Sequence, residues 1–187
     1  MDAAGEGKRG NGGVGLRIAL LSDTHGDLDP RVAAVVAGCD YALHAGDVGA
    51  AAVLHALQPR RRVIAVRGNN DTPANWPADE ALLLAALPEE AVLELPGGRV
   101  AVIHGHQAGE PARRHDYLRA RFPEARLVLY GHSHRRLMDQ SRTPWVVNPG
   151  AAGRSRTYGG PSLVILAAEA ENWRVEELCF TGLPPRV

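Results

Sequence analysis

Three times in its first half the chain repeats one pattern: a short apolar run, then a loop of glycine with aspartate, asparagine or histidine. Residues 17–21, 41–44 and 62–66 are the runs, and they are too continuous to alternate between core and water. Runs of this kind read as strands covered on both faces, the usual condition of a parallel sheet. The stretches between them, 30–37 and 49–57, have helical punctuation: Pro30 suits a first turn, Gly38 an end and Pro59 a stop. Strand, loop and helix in succession predict a parallel βαβ sheet.

Beyond residue 90 the pattern changes. Residues 92–95 and 100–103 flank Pro96-Gly97-Gly98-Arg99 and predict a hairpin. Residues 110–121 predict a helix and 127–130 another buried strand, while 145–147, 163–167 and 173–180 read as strands of a second, more antiparallel set. The expectation is an α/β chain with two packed sheets flanked by helices. Its 187 residues, 45% of them hydrophobic, suffice for one core over residues 16–187. Residues 1–15 hold six glycines and little to bury, so they are expected to form a flexible extension.

Charge and cysteine usage exclude several classes. Lys+Arg and Asp+Glu are both 21, so no bulk field recruits nucleic acid. No run of 18 apolar residues and no apolar leader is present, so no membrane partner is expected. Cys39 and Cys179 are too few for a disulfide framework and are expected to be buried free thiols in a reducing, cytoplasmic compartment.

The polar residues fall where the strands end. Asp23 and His25, Asp47, Asn69, His104 and His106, and His132 and His134 each follow an apolar run. Ligands of open α/β sheets bind at the carboxyl ends of the strands, and a parallel sheet gathers those ends at one edge. Carboxylates, an amide and imidazoles without thiols suit Mn, Fe, Zn, Ni or Co. Asp23-Thr24-His25 and His132-Ser133-His134 each place two candidate ligands two residues apart, on one side of an extended segment.

In this order the loops Asp23-Thr24-His25-Gly26, Gly46-Asp47-Val48, Gly68-Asn69-Asn70-Asp71, His104-Gly105-His106, Gly131-His132-Ser133-His134 and Asn148-Pro149-Gly150 resemble those of the calcineurin-like metallophosphoesterases. The likeness is to the small single-domain phosphodiesterase branch, which includes the retromer subunit of vacuolar sorting. It implies a four-layer αββα sandwich of two mixed sheets, with two divalent ions, manganese foremost, at the C-terminal ends of the strands. Asp23, His25 and His134 would hold one ion, Asn69, His104 and His132 the other, and Asp47 would bridge them. The implied reaction is hydrolysis of a small phosphodiester by in-line attack of a hydroxide shared by the two ions.

Around that set, His106 is expected to touch phosphate or leaving group, or else to support a ligand, and Asn70 and Asp71 complete the expected catalytic group, Asn70 at the leaving-group position and Asp71 placed to orient a ring there. Many members carry His where Asn70 stands, and an amide does not act as a general acid at neutral pH. Arg154 or Arg156, just after the Asn148-Pro149-Gly150 turn, is expected to bind substrate phosphate. His44 is expected to support a loop, His55 and His115 to be ordinary surface or core residues, and Trp76 to wall the pocket or pack at a subunit contact. A homodimer is the expected assembly. The alternatives are a non-catalytic scaffold of the same fold, or a phosphomonoesterase or nucleoside-polyphosphate hydrolase.

Overall fold

The three apolar runs form adjacent strands, Leu16–Leu21 (β1), Tyr41–His44 (β2) and Arg62–Ala65 (β3), paired in parallel with Ile18 opposite Tyr41 and Ala42 opposite Val63. Helices Pro30–Val36 (α1) and Ala51–Ala56 (α2) connect them. Pro30 opens α1 as expected, behind the Asp29 cap, whose carboxylate accepts from Arg31 N at 2.9 Å. The molecule is described by a computed structural model over residues 15–182, so the expected extension, Gly15 apart, lies outside the described residues.

The second half builds a second sheet from Glu90–Leu95 (β4), Gly98–Ile103 (β5), Leu127–Leu129 (β6), Leu137–Asp139 (β7) and Trp145–Asn148 (β8), in the order β4-β5-β6-β8-β7. Ser162–Ala168 (β9) and Trp173–Cys179 (β10) return to the first sheet, whose order is β10-β9-β1-β2-β3. This corrects the expected grouping of residues 145–180 into one antiparallel set. β8 runs parallel to β6 and antiparallel to β7 in the second sheet, whereas β9 pairs antiparallel with β1, and β10 with β9, in the first. The apolar run of β9 signals burial on both faces, and that condition is met equally well in either sheet.

Other differences have local causes. Helix Arg114–Arg121 (α4) starts four residues later than expected, because Gly109 at φ 62° and Pro111 hold the preceding chain in tight turns. Helix Ala81–Ala86 (α3) lies in a stretch to which the sequence pattern assigned no element. β7 is an edge strand of three residues with Leu137 and Met138 exposed, so it leaves no apolar signature. Cys39 is buried, but Cys179 is only half-buried.

Alternation along each strand makes the layers. Ile18 and Leu20 of β1 meet Val100, Val102, Leu127 and Leu129 between the sheets. Ala19 and Leu21 turn the other way, onto Val32 and Val36 of α1. Ala101 and Ile103 of β5 pack on Leu118 of α4. The result is a four-layer helix–sheet–sheet–helix sandwich. Among the described residues no helix is long and apolar enough to cross a membrane.

Truncation in the inter-sheet layer tests this packing. Leu20→Ala, at a residue with 0% exposure, is expected to lose about 2–5 kcal/mol in urea unfolding with an unchanged m value. Leu82→Ala, at a residue 89% exposed, should change stability by less than about 0.5 kcal/mol. Equal losses for the two would contradict the layering.

Candidate metal centre

The loops that leave the strands are laced to one another by their backbones. Asp23 N donates to Gly46 O at 3.0 Å, His25 N to Asp47 O at 2.9 Å, and Gly131 N to His104 O at 3.0 Å. Six non-glycine residues among those described have positive φ: Asp23, His25, Asp47, His132, His134 and Arg156. Five of them belong to the expected ligand set. Each such conformation costs about 1–3 kcal/mol and persists where surrounding structure fixes it, typically at functional sites. Gly68 is required for another reason: a Cβ there would lie 2.2 Å from Asp47 Oδ1.

These loops aim two groups of donors at two neighbouring points. Asp23, His25, Asp47 and His134 each present one ligand atom, and the four atoms all lie within 4.8 Å of one another. In the other group, Asn69 Oδ1 is 3.0 Å from both His104 Nε2 and His132 Nδ1. One atom serves both groups: Asp47 Oδ2 lies 3.7 Å from His25 Nε2 and 3.4 Å from His104 Nε2. The expected ligand residues are therefore all brought together.

Their electrostatics fit cations. Asp23 is wholly buried, and that burial pushes its carboxyl up to about 7, with the neighbouring His104 charge opposing. Burial favours a neutral imidazole at His25 and pushes His134 down to about 4, reinforced there by Arg156 and His25. The two Nε2 atoms stand 3.1 Å apart, so a proton on one leaves the other's lone pair to be matched. Asp47 is held below the usual carboxylate range although burial opposes this, because His104 and Asn70 donate to it. His104 is raised despite its burial by Asp47 and Asp23. Two buried carboxylates with neutral imidazoles and an amide oxygen around them are a hard-to-borderline donor set for divalent cations.

A supporting frame fixes these donors. Ser22 Oγ lies 2.8 Å from both Asp23 Oδ2 and Gly150 O. His104 Nδ1 donates to Ala45 O at 2.8 Å, which aims Nε2 at the centre. Gly46 N donates to His44 Nδ1 at 3.2 Å, so His44 Nε2 carries the proton and donates to Thr24 Oγ1 at 2.9 Å; Thr24 in turn donates to Val48 O. His44 thus supports a loop, as expected. Asn148 Nδ2 donates to Gly131 O and Ser133 Oγ, clamping the loop of His132 and His134. Sequence reasoning assigned no such role to Ser22, Thr24 or Asn148. Asn148 was visible as part of a motif, whereas a serine or threonine beside an aspartate carries no signal of its own.

The remaining expected residues divide. Asn70 donates its backbone N and its Nδ2 to the two oxygens of Asp47, at 2.8 and 2.7 Å, so it holds the shared carboxylate. Asp71 turns inward: Val48 N, Gly49 N, Gly68 N and Trp76 Nε1 donate to its buried carboxylate, which ties the loop after β3 to the loop after β2. Trp76 is buried on Val48 and Leu84, with its indole N–H turned to Asp71. His106 is exposed at the rim, its ring centroid 5.5 Å from that of His104. Arg156 Nη2 reaches His25 Nε2 at 3.0 Å, whereas Arg154 turns to Asp27 at 3.6 Å, apart from the ligands. His55 is exposed, and His115 is neither plain surface nor core: it bridges Asp139 and the Tyr130 hydroxyl.

Comparison with known proteins agrees with this geometry. The calcineurin-like phosphoesterase superfamily domain matches residues 16–171, and the chain belongs to that family. A probable metallophosphoesterase of Methanocaldococcus jannaschii is 29% identical over 145 residues, 73% of this chain and 68% of the relative. Among solved structures, a novel archaeal phosphodiesterase superposes with a TM-score of 0.65 at 22% identity, covering 87% of this chain and 100% of the other. Wild-type Vps29 of Entamoeba histolytica, complexed with Zn2+, gives 0.61 at 16% identity, covering 88% and 99%. At these identities the structural likenesses establish the fold.

If the donors hold cations, Mn2+ added to chelator-treated protein should raise Tm by about 5–10 °C at roughly 100 times Kd. Asp47→Asn should lose most of that rise, because one carboxylate serves both groups; an undiminished rise would contradict the shared role. The gain should also shrink with acid. The folded state holds the Asp23 proton more tightly than the unfolded chain does, so that group stabilises the cation-free fold at low pH and ceases to as pH rises through about 7. A cation must displace this proton, so the Mn2+-induced rise should be larger at about pH 8 than at about pH 6. A larger rise at the lower pH would contradict that competition.

Proposed function

We propose that the protein is a divalent-metal-dependent phosphodiesterase that hydrolyses small phosphoester substrates, with two ions per chain, manganese foremost, and the reducing cytoplasm as its setting. The observation that carries this reading is the single oxygen Asp47 Oδ2, which faces imidazoles of both donor groups at 3.7 and 3.4 Å. Two ions held there would supply an acidified water and neutralise charge on the phosphoryl oxygens. The phosphodiesterase among the structural neighbours and the zinc complex of Entamoeba Vps29 support the reading.

The chain's own residues have separate tasks in this scheme. Asn70 fixes the rotation of the Asp47 carboxylate through two hydrogen bonds. Arg156, 3.0 Å from His25, offers a guanidinium to the phosphoryl oxygens beside the first donor group. His106 stands exposed at the rim of the second group, where it can meet the leaving oxygen. Its partial burial, then the His104 charge, lowers its pKa, so less of it carries a proton to give at neutral pH. Asn70 supplies no acid, and Asp71 has its carboxylate fully engaged. Leaving groups that depart without a proton are therefore favoured.

The test is a series of aryl and alkyl phosphodiesters assayed at saturating Mn2+. The rate should fall steeply as leaving-group pKa rises, since general-acid help is worth about 10²–10⁴-fold. Asn70→His should flatten the dependence, raising poor leaving groups relative to good ones. Parallel lines for the two proteins would remove position 70 from leaving-group protonation. No hydrolysis of any ester with any divalent ion would overturn the enzymatic reading in favour of a scaffold.

A further inference from the structure

Beside the metal centre lies a charged cleft that the scheme above does not use. It has a volume of about 510 Å³ and opens between α4 and β7. Ser133, which lines it, stands between the ligands His132 and His134, so the cleft adjoins the centre.

The carboxylates of this cleft already have partners. Asp139 is met by Arg119 Nη2 at 2.8 Å, His115 Nδ1 at 2.9 Å and Ser141 Oγ at 2.6 Å. Asp116 pairs with Arg142. Arg114 has no such partner. It is 9% exposed, its Nε lacks any hydrogen-bond acceptor, and among the described residues no carboxylate lies within 4.0 Å of its guanidinium. Its guanidinium carbon sits 6.0 Å from the centre of the Tyr130 ring, at the outer limit of a cation–π contact. Burying a guanidinium without a counter-charge is unfavourable, and Arg114 also opens α4, where the helix dipole disfavours a cation. Arg135, exposed and stacked 4.6 Å from the Tyr158 ring, is likewise without a carboxylate among the described residues. Two guanidiniums without a carboxylate partner thus share one cleft, and the more buried of them has the ring and hydroxyl of Tyr130 beside it.

We propose that this cleft is a subsite for a second phosphate on the substrate, with Arg114 as its anchor and Arg135 beside it. The planar guanidinium fork matches a phosphate bidentately. The substrate class is then a phosphodiester that also bears a phosphomonoester, as in a nucleotide phosphorylated on its far side. Its use in turnover rests on the phosphodiesterase reading; the anion site itself rests on Arg114.

Two measurements separate these. In chelator-treated full-length protein, inorganic phosphate should shift the NMR cross-peak of Arg114 Nε–Hε saturably, and about fivefold more tightly than acetate does. Arg114→Lys identifies the peak by its loss. No saturable shift overturns the subsite, and an equal response to acetate overturns its assignment to phosphate. With Mn2+, kcat/KM is compared for thymidine 5′-(p-nitrophenyl phosphate) with and without a 3′-phosphate. The wild type should favour the 3′-phosphorylated ester by about tenfold, mainly through KM, and Arg114→Gln should bring that ratio toward one. If the variant does not fold, the wild-type titration and the wild-type ratio still decide. A wild-type ratio of one with both esters hydrolysed overturns the substrate subsite and leaves the enzyme reading standing. A saturable phosphate shift without hydrolysis of either ester supports the anion site and overturns the phosphodiesterase.

Discussion

Asp23 and Asp47 lie at the ends of two adjacent parallel strands, with 0% and 1% exposure, and the rest of the molecule is arranged around holding them together. Two buried carboxylates repel, and each loses hydration that no apolar core replaces. The chain meets part of this with its own donors: Ser22 at Asp23, Asn70 and His104 at Asp47. The remaining demand is for positive charge between the donor groups. That demand explains why imidazoles kept neutral by burial, at His25 and His134, stand nose to nose instead of apart.

The same demand explains where backbone strain is stored. Left-handed conformations at Asp23, His25, Asp47, His132 and His134 would each be unfavourable in an isolated loop. They hold because the loops are locked from behind. Asp71 joins the loops after β2 and β3 through four hydrogen bonds, His44 and Thr24 join the loops after β1 and β2, and Asn148 clamps the loop after β6. Beneath them the two sheets share one apolar layer, so the strand ends cannot shift independently. Rigidity at the centre therefore derives from the sandwich as a whole, and the polar frame transmits it to the ligating atoms.

Much of this was visible in the residues. Apolar runs cut by glycine marked β1, β2, β3, β5 and β6, and the polar residues after them marked the centre, because strand ends in a parallel sheet converge whatever their separation in sequence. Pairing beyond nearest neighbours was not visible. The run at 163–167 states that it is buried, and nothing in it states that β1 is its neighbour. β7 was missed because an exposed edge strand of three residues needs no apolar face. The second layer of the site was largely hidden as well: Asp71 reads as one more carboxylate near the centre, and only its four backbone and indole donors reveal that it faces inward. Arg114 was hidden within a charged helical stretch and His115 read as an ordinary residue, since the lack of a carboxylate at one and the Asp139 partner of the other are properties of packing and not of spacing.

Whether one carboxylate joins two ions is decided by spectroscopy of the manganese form. Protein loaded with Mn2+ after chelator treatment should bind two ions per chain, and their electron paramagnetic resonance should be that of an exchange-coupled pair, as ions about 3.5–4 Å apart with a shared ligand require. Two ions per chain giving the spectrum of isolated Mn2+, or saturation at one ion per chain, would contradict a centre built around Asp47.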